Sequence, residues 1–314
     1  MTAWRRQMNE APGRAAAETG HLQATLEAGR FAITAEVNPP LAGKARFLTA
    51  KALPLKGLVD AVNLTDGPAA HVRMSALAAA AILVGHGMEP VLQMTCRDRN
   101  RIALQSDLLG ATALGVRNFL LLRGDDPSAG DQPDAKPVFD LEARQLLAAA
   151  AAIRDRGELL SGRTIKGRAA MFLGAADLPI DPPRGWKPEG LMAKAEAGAR
   201  FAQTQFCMDA GVVRRYAARL AEHGLTERLS LLIGIAPLYS AKSARWMRQH
   251  LYGTIIPDEI VARMEAAADP QAEGRRICVE LLHELTAIPG IAGAHIMAPL
   301  HEEAIPEVVA AFRG

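Results

Sequence analysis

The chain has 314 residues, 49% of them hydrophobic, only 4% aromatic, and a formal net charge of +2. That is enough apolar material for one large α/β barrel or two ordinary domains, with packing resting on Ala, Leu, Ile, Val and Met. The near-balanced charge, with no Lys/Arg block concentrated on one element, excludes a dominant nucleic-acid footprint.

The first 30 residues carry charges throughout, together with Pro12 and Gly13, and lack an apolar core of signal-peptide length. They read as a partly ordered N-terminal extension. From Phe31 to Gly314 short β-type runs alternate with Ala-rich amphipathic segments. In chain order the pairs are Ala32–Val37 with Phe47–Leu55, Ala61–Thr65 with Met74–His86, and Pro90–Thr95 with Arg99–Leu114. Asn118–Leu122 follows with Leu141–Asp155, then Ala169–Ala175 with Leu191–Ala199, and Phe201–Phe206 with Val212–His223. Ser230–Ile235 precedes Ala241–His250, and Ala294–Met297 precedes Glu302–Phe312. An extra helical pair, Pro257–Ala267 and Ala272–Leu285, stands before the last strand.

Eight strand–helix pairs in strict alternation predict a parallel sheet, and eight is the number that closes a (β/α)8 barrel. The competitor is an open doubly wound sheet. It usually opens with a Gly-rich first turn, and the chain contains no GxGxxG. Gly85, Gly115 and Gly224 sit between helix and strand, where a left-handed C-cap belongs. The longest apolar stretches are too short to span a bilayer, which predicts a soluble protein. Cys96, Cys207 and Cys278 are far apart and form no zinc or disulfide spacing, so they read as small core residues in a reducing, cytoplasmic setting.

Three polar residues stand at the downstream ends of separate strands: Glu36 before Pro39-Pro40, Asp125 after Arg123-Gly124, and Gln205 in Thr204-Gln-Phe206. Catalytic groups of barrels collect at strand C-termini, so these residues point to an enzyme with one mouth. A carboxylate partly desolvated there suits a general acid, because burial disfavours the charged form; a Glu paired with Lys or Arg at the rim is the plainer alternative. Gly124 allows close backbone approach to a ligand, and Arg123 can fork onto a phosphate or carbonyl. Gln205 offers both donor and acceptor to a lactam or aminopyrimidine edge. Thr65-Asp-Gly-Pro68 reads as a turn or a phosphate cradle, and Gln93 could hydrogen-bond a planar ring. Lys194 reads by default as a surface residue. His295 points inward on the last strand, as a core histidine rather than a metal ligand, since no partner lies at metal spacing. The segments 125–137 and 177–188 exceed ordinary loop lengths and follow strand C-termini, where long loops bind ligands.

The ordered series AEVNPP, NLTDGP, QMTCRD, LLLRGDDP, TQF, GIAP and HIMAP resembles the methylenetetrahydrofolate reductase family over nearly the whole chain from Phe31. The resemblance implies a (β/α)8 barrel that binds FAD non-covalently across the strand C-termini. It implies reduction of 5,10-methylenetetrahydrofolate to 5-methyltetrahydrofolate with NADH or NADPH. The two substrates would use one place in turn, with ping-pong kinetics. Carried over, Glu36 resembles the general acid that helps open the imidazolidine ring. Asp125 resembles the aspartate between flavin and pterin, and Gln205 the folate-binding glutamine. Thr65, Arg123, Gly124 and Lys194 match FAD-contacting positions, with Gln93 in place of a frequent histidine. Tyr239 and His301 are further folate-binding candidates.

The chain also departs from the pattern. Val37-Asn38 replaces an aromatic pair, Leu178 and Pro182 stand where Tyr and His are frequent on the adenine side, and the last-strand loop lacks the Arg many relatives offer the folate tail. The resemblance further implies a short form without the eukaryotic regulatory domain, a homo-oligomer, no nucleic-acid or membrane partner and no metal. Two other functions compete: a folate- or corrinoid-linked methyltransferase barrel, and a non-catalytic subunit of a one-carbon complex.

Overall fold

The computed structural model describes residues 19–299 and 301–314. Eight parallel strands, β1 (Ala32–Val37), β2 (Ala61–Leu64), β3 (Pro90–Thr95), β4 (Asn118–Leu122), β5 (Phe172–Asp177), β6 (Phe201–Phe206), β7 (Ser230–Ile235) and β8 (Ile291–Ile296), close in sequence order, with β1 pairing β8. The helices are α1 (His21–Glu27), α2 (Arg46–Ala52), α3 (Ala76–Gly85), α4 (Arg101–Ala113), α5 (Ala143–Arg156), α6 (Glu189–Glu196), α7 (Ala210–Glu222), α8 (Ala241–His250), α9 (Asp258–Ala266), α10 (Pro270–Thr286) and α11 (Ala304–Arg313). The expected barrel is therefore the observed one.

Of the N-terminal extension, residues 1–18 lie outside the described residues. Its remainder forms α1, whose Leu22 and Leu26 close the base of the barrel against Ala32, Ala61, Val91, Leu120, Phe172, Phe201 and Leu232. Glu89 fixes this plug by accepting from the backbone N–H groups of His21, 2.5 Å, and Leu22, 2.9 Å, at the open end of the helix. Asp60 holds it from the other side, accepting from the Thr25 hydroxyl at 3.1 Å and the Ile33 N–H at 2.8 Å.

Differences from the sequence-based boundaries have local causes. Asn100, Asp209 and Asp269 cap α4, α7 and α10 with their side chains, which sets where those helices begin. Gly85 is the last residue of α3 rather than its left-handed cap; Gly87, φ +67°, makes that turn. Pro54 ends α2 in a short 3-10 turn over Leu53–Leu55. The last strand starts at Ile291, ahead of the expected Ala294, and includes Gly293, where a Cβ would lie 2.3 Å from the Ala32 carbonyl. The fifth strand runs later than expected, over Phe172–Asp177, and the ring of Phe201 fills the space beside Gly174. A glycine inside a strand weakens the sequence signal yet marks a close approach.

Alternation along the strands decides what faces inward. Above the apolar base the next inward positions are polar: Thr34, Asn63, Gln203 and His295, each at most 3% exposed. Glu36 lies beside Asn63 in register, at the top of the interior.

Candidate active site

Glu36 ends β1 with its side chain 17% exposed, inside the barrel mouth. The described contacts of its carboxylate are the Gln93 amide, whose Nε2 donates to Oε2 at 3.5 Å, and His295, whose Nε2 lies 3.7 Å from Oε2. Neither contact is a Lys or Arg, so the rim ion pair weighed for this residue is not what forms. His295 is buried, as expected of an inward core histidine, and its Nδ1 lies 2.9 Å from Thr34 Oγ1.

The ends of β2, β3 and β4 build a second, charged cluster next to Glu36. Asp66 accepts from the Thr95 N–H at 2.8 Å and the Thr95 hydroxyl at 3.0 Å, and pairs with Arg99. Thr65 is buried, and its hydroxyl donates to Asn38 Oδ1 at 2.8 Å. The Thr65–Pro68 segment is a turn with Gly67 at φ +58°, followed by Ala69 and Ala70, also at positive φ. Asp125 Oδ2 accepts the Ala69 N–H at 2.9 Å, and Asp131 accepts that of Val72 at 3.1 Å. The loops after β2 and β4 are thus laced together by carboxylates. Gly124 has φ +90°, and a Cβ there would lie 2.9 Å from Thr95 Cβ and 3.2 Å from Arg97 Cβ. The lack of a Cβ lets the end of β4 pack directly against the end of β3. Arg123 is half exposed and sits over the Phe139 ring at 4.0 Å, 3.4 Å from Glu142, on the outward side of its strand.

Across the mouth, Asp177 ends β5 beneath Tyr216, whose hydroxyl donates to it. Burial raises the Asp177 pKa above the ordinary carboxylate value, against the Tyr216 hydrogen bond and the charge of Lys194. Burial together with Asp177 likewise pushes the Tyr216 phenol up, so it remains a neutral donor. Lys194 is no free surface residue: its Nζ donates to the Ala176 carbonyl at 2.6 Å and lies 3.9 Å from Asp177. Leu178 packs on Gly253, where a Cβ would meet its Cδ2 at 2.7 Å.

Gln205 sits at a break in register between β6 and β7, where pairing steps from Gln203 to Phe206. Such irregularities re-aim a side chain at a strand end. Gly234 makes room, since a Cβ there would lie 2.2 Å from the Thr204 carbonyl. Gln205 donates to the Tyr252 carbonyl at 3.3 Å and accepts the Phe206 N–H at 3.0 Å. Tyr239 and His301, past the ends of β7 and β8, stack with ring centroids 3.8 Å apart and planes 1° from parallel. Position 300 of the same loop lies outside the described residues.

The three cysteines are buried and free. Burial pushes Cys96 up to about 11 and Cys207 up to about 12, and raises Cys278 as well, which suits core residues and not nucleophiles. Among the described residues no His, Cys, Asp or Glu group could hold a metal, and no helix is long and apolar enough to cross a membrane. A cleft of about 840 Å³ between Arg117, Arg154 and Ile165 lies at the base of the barrel, remote from Glu36.

The sequence model of methylenetetrahydrofolate reductase matches residues 21–313. The chain belongs to that family. Within it, a probable methylenetetrahydrofolate reductase (NADPH) of Caenorhabditis elegans is 26% identical over 246 residues, 76% of this chain and 34% of that protein. Methylenetetrahydrofolate reductase 2 of Schizosaccharomyces pombe is 27% identical over 202 residues, 62% of this chain and 30% of that protein. The chain therefore spans about a third of the length of these curated relatives. Among solved structures, EDTA monooxygenase (EmoA) from Chelativorans sp. BNC1 is similar with a TM-score of 0.56 and 12% identity, covering 90% of this chain and 92% of that one. DmoA from Hyphomicrobium sulfonivorans is similar with a TM-score of 0.55 and 10% identity, covering 89% and 86%. Both share the barrel fold.

In this reductase-family chain the expected site residues fall into separate groups, with Arg123 turned outward over Phe139 and Gln205 bonded to the Tyr252 carbonyl. Glu36, Gln93 and His295 make one; Thr65, Gly124 and Asp125 belong to the β2–β4 cluster; Lys194 joins Asp177; Tyr239 joins His301. Sequence reading did not single out Thr34, Asn63, Gln203 or Arg99, and took Asp66 only as part of the Thr65–Pro68 segment. The period-2 alternation held a signal for one of them: Thr34 lies two residues before Glu36 on the same inward face.

Proposed function

We propose that this chain reduces 5,10-methylenetetrahydrofolate to 5-methyltetrahydrofolate, using a non-covalent FAD and NADH or NADPH in ping-pong order. The observation that carries the proposal is Glu36: a largely desolvated carboxyl at the barrel mouth whose described contacts are a neutral amide and a histidine. The residues fit a flavin. Gly124, lacking a side chain, lets the ends of β3 and β4 meet closely at Thr95 and Arg97, which keeps a side chain from standing between those two strand ends where the ring system is proposed to lie. Thr65, Gln93, Arg123, Gly124 and Lys194 are the residues proposed to hold it, with Leu178 giving the adenine side an apolar wall. A flavin held there would supply the hydride chemistry between the nicotinamide and the folate carbon.

The protein's own residues do the rest. Glu36 carries a proton to the departing amine nitrogen of the imidazolidine ring. The carbon–nitrogen bond breaks with its electron pair onto that nitrogen, the second nitrogen closes an iminium, and Glu36 is left as carboxylate. Asp125, already oriented by the Ala69 N–H, places negative charge beside the ring system. Gln205 recognises the pterin edge, and the stacked Tyr239 and His301 offer a flat surface to the rest of the folate.

Glu36→Gln tests the proposal. Hydride transfer from nicotinamide to flavin needs no acid and should survive. Folate reduction should fall by ~10²–10⁴-fold, the usual worth of a positioned acid. Stopped-flow measurement of both half-reactions decides it. Equal slowing of the two would make Glu36 a structural residue, and a protein that binds folate but no flavin would favour the methyltransferase alternative.

A further inference from the structure

The polar layer beneath Glu36 combines one connected line of side chains with buried groups that have no described partner, Gln203 Oε1 and both polar atoms of Asn63. Gln203, 3% exposed, donates its amide Nε2 to Thr34 Oγ1 at 3.1 Å. Thr34, fully buried, lies 2.9 Å from His295 Nδ1 and a longer 3.5 Å from the Ala294 carbonyl. His295, 2% exposed, turns its other nitrogen toward Glu36 at 3.7 Å. Three side chains from β6, β1 and β8 therefore form one directed line that ends on the carboxyl. We propose that this line makes His295 the positioning residue of Glu36, held in the tautomer that carries its proton on Nε2.

The direction follows from what each group is able to donate. An amide Nε2 only donates, so Gln203 occupies one lone pair of Thr34 Oγ1. The threonine hydroxyl proton is assigned to Nδ1 of His295, the shorter contact at 2.9 Å, in preference to the Ala294 carbonyl at 3.5 Å. An imidazole nitrogen that accepts leaves the other as the N–H, so the ring presents Nε2–H to Glu36. With Nε2–H facing it, the carboxylate that remains after the proton has gone to substrate gains a donor. The opposite tautomer would turn a lone pair on the acid and compete with substrate for its proton. The inference rests on the reading of Glu36 as the acid and adds the residues that hold it ready.

Nitrogen-15 NMR of the full-length, ligand-free protein reads the tautomer directly, with the His295 signals assigned by their loss in His295→Gln. The expected result is an Nε2-protonated neutral ring; a proton on Nδ1, in the neutral ring or in an imidazolium, overturns the proposal. In single-turnover kinetics, Thr34→Val and His295→Gln should each slow folate reduction by ~10–100-fold, the worth of one hydrogen bond to a charged group. Flavin reduction by the nicotinamide should remain as it is. Thr34→Ser, which keeps the hydroxyl, should recover most of the loss, a rescue that a purely steric role would not give. Wild-type folate rates in Thr34→Val and His295→Gln beside a slow Glu36→Gln would overturn the positioning role alone. A wild-type rate in Glu36→Gln would remove the acid, and with it the proposed reaction.

Discussion

Replacing Gly124 by Ala should separate backbone strain from close packing at the mouth, with Gly157→Ala as its control. Both glycines have positive φ, +90° at 124 and +67° at 157. At Gly157 an added Cβ meets nothing closer than Ile165 Cγ1 at 3.7 Å, an ordinary contact. That substitution should therefore cost only the left-handed backbone term, ~1–2 kcal/mol. At Gly124 the same atom would press on Thr95 Cβ at 2.9 Å and Arg97 Cβ at 3.2 Å. Those are the roots of side chains on the end of β3 and just past it, where Thr95 is held by Asp66, and they cannot swing aside. Overpacking of that kind adds ~1–3 kcal/mol, for a total of ~2–5 kcal/mol. Urea unfolding of the two variants and the parent, with a common slope, measures both losses. FAD affinity, read by fluorescence quenching, should fall in Gly124→Ala and stay at the parent value in Gly157→Ala. Equal destabilisation of the two variants would show that the close approach between β3 and β4 carries no energy, and unchanged FAD affinity in Gly124→Ala would remove Gly124 from the proposed flavin site.

Three shorter predictions follow from the same geometry. Asp125→Asn keeps an oxygen able to accept the Ala69 N–H, so stability should hold while the flavin midpoint potential shifts and folate reduction slows; unchanged potential by spectroelectrochemistry and unchanged turnover would remove Asp125 from the site. Burial raises the folded-state pKa of Asp177 above its unfolded value, so its contribution is fully present below about pH 4 and is lost as pH rises through the raised value. Asp177→Asn should accordingly gain in Tm on the parent from about pH 4 toward neutrality, and a gap that does not change with pH would contradict the burial argument. Cys96, Cys207 and Cys278 are buried with raised pKa values, so a thiol reagent should leave all three unmodified in the native protein and titrate all three in denaturant. Rapid native labelling at any one of them would show that its shell opens.

What the sequence determined by itself is the barrel and the identity of the residues at its mouth. Fully buried parallel strands must be short apolar runs, and their alternation with amphipathic helices leaves little topological choice, so the eight strands and their order are legible, with the bounds of the fifth and last displaced. Glu36, Asp125 and Gln205 stand out because a polar residue ending such a run has no core role to play. Where strands contained glycine, as at Gly174 and Gly293, the local signal failed, since the use of those positions lies in the Phe201 ring and the Ala32 carbonyl of neighbouring strands. The tertiary structure alone decided partnership. The hydrogen bonds of Glu36, Thr34 and Asp125 reach residues 57, 169 and 56 positions away along the chain, and no local pattern encodes such a distance. It also decided orientation: Arg123 turns outward over Phe139 and Lys194 reaches back to the end of β5, because a side chain at a strand end goes where closure of the barrel leaves an acceptor or an aromatic face.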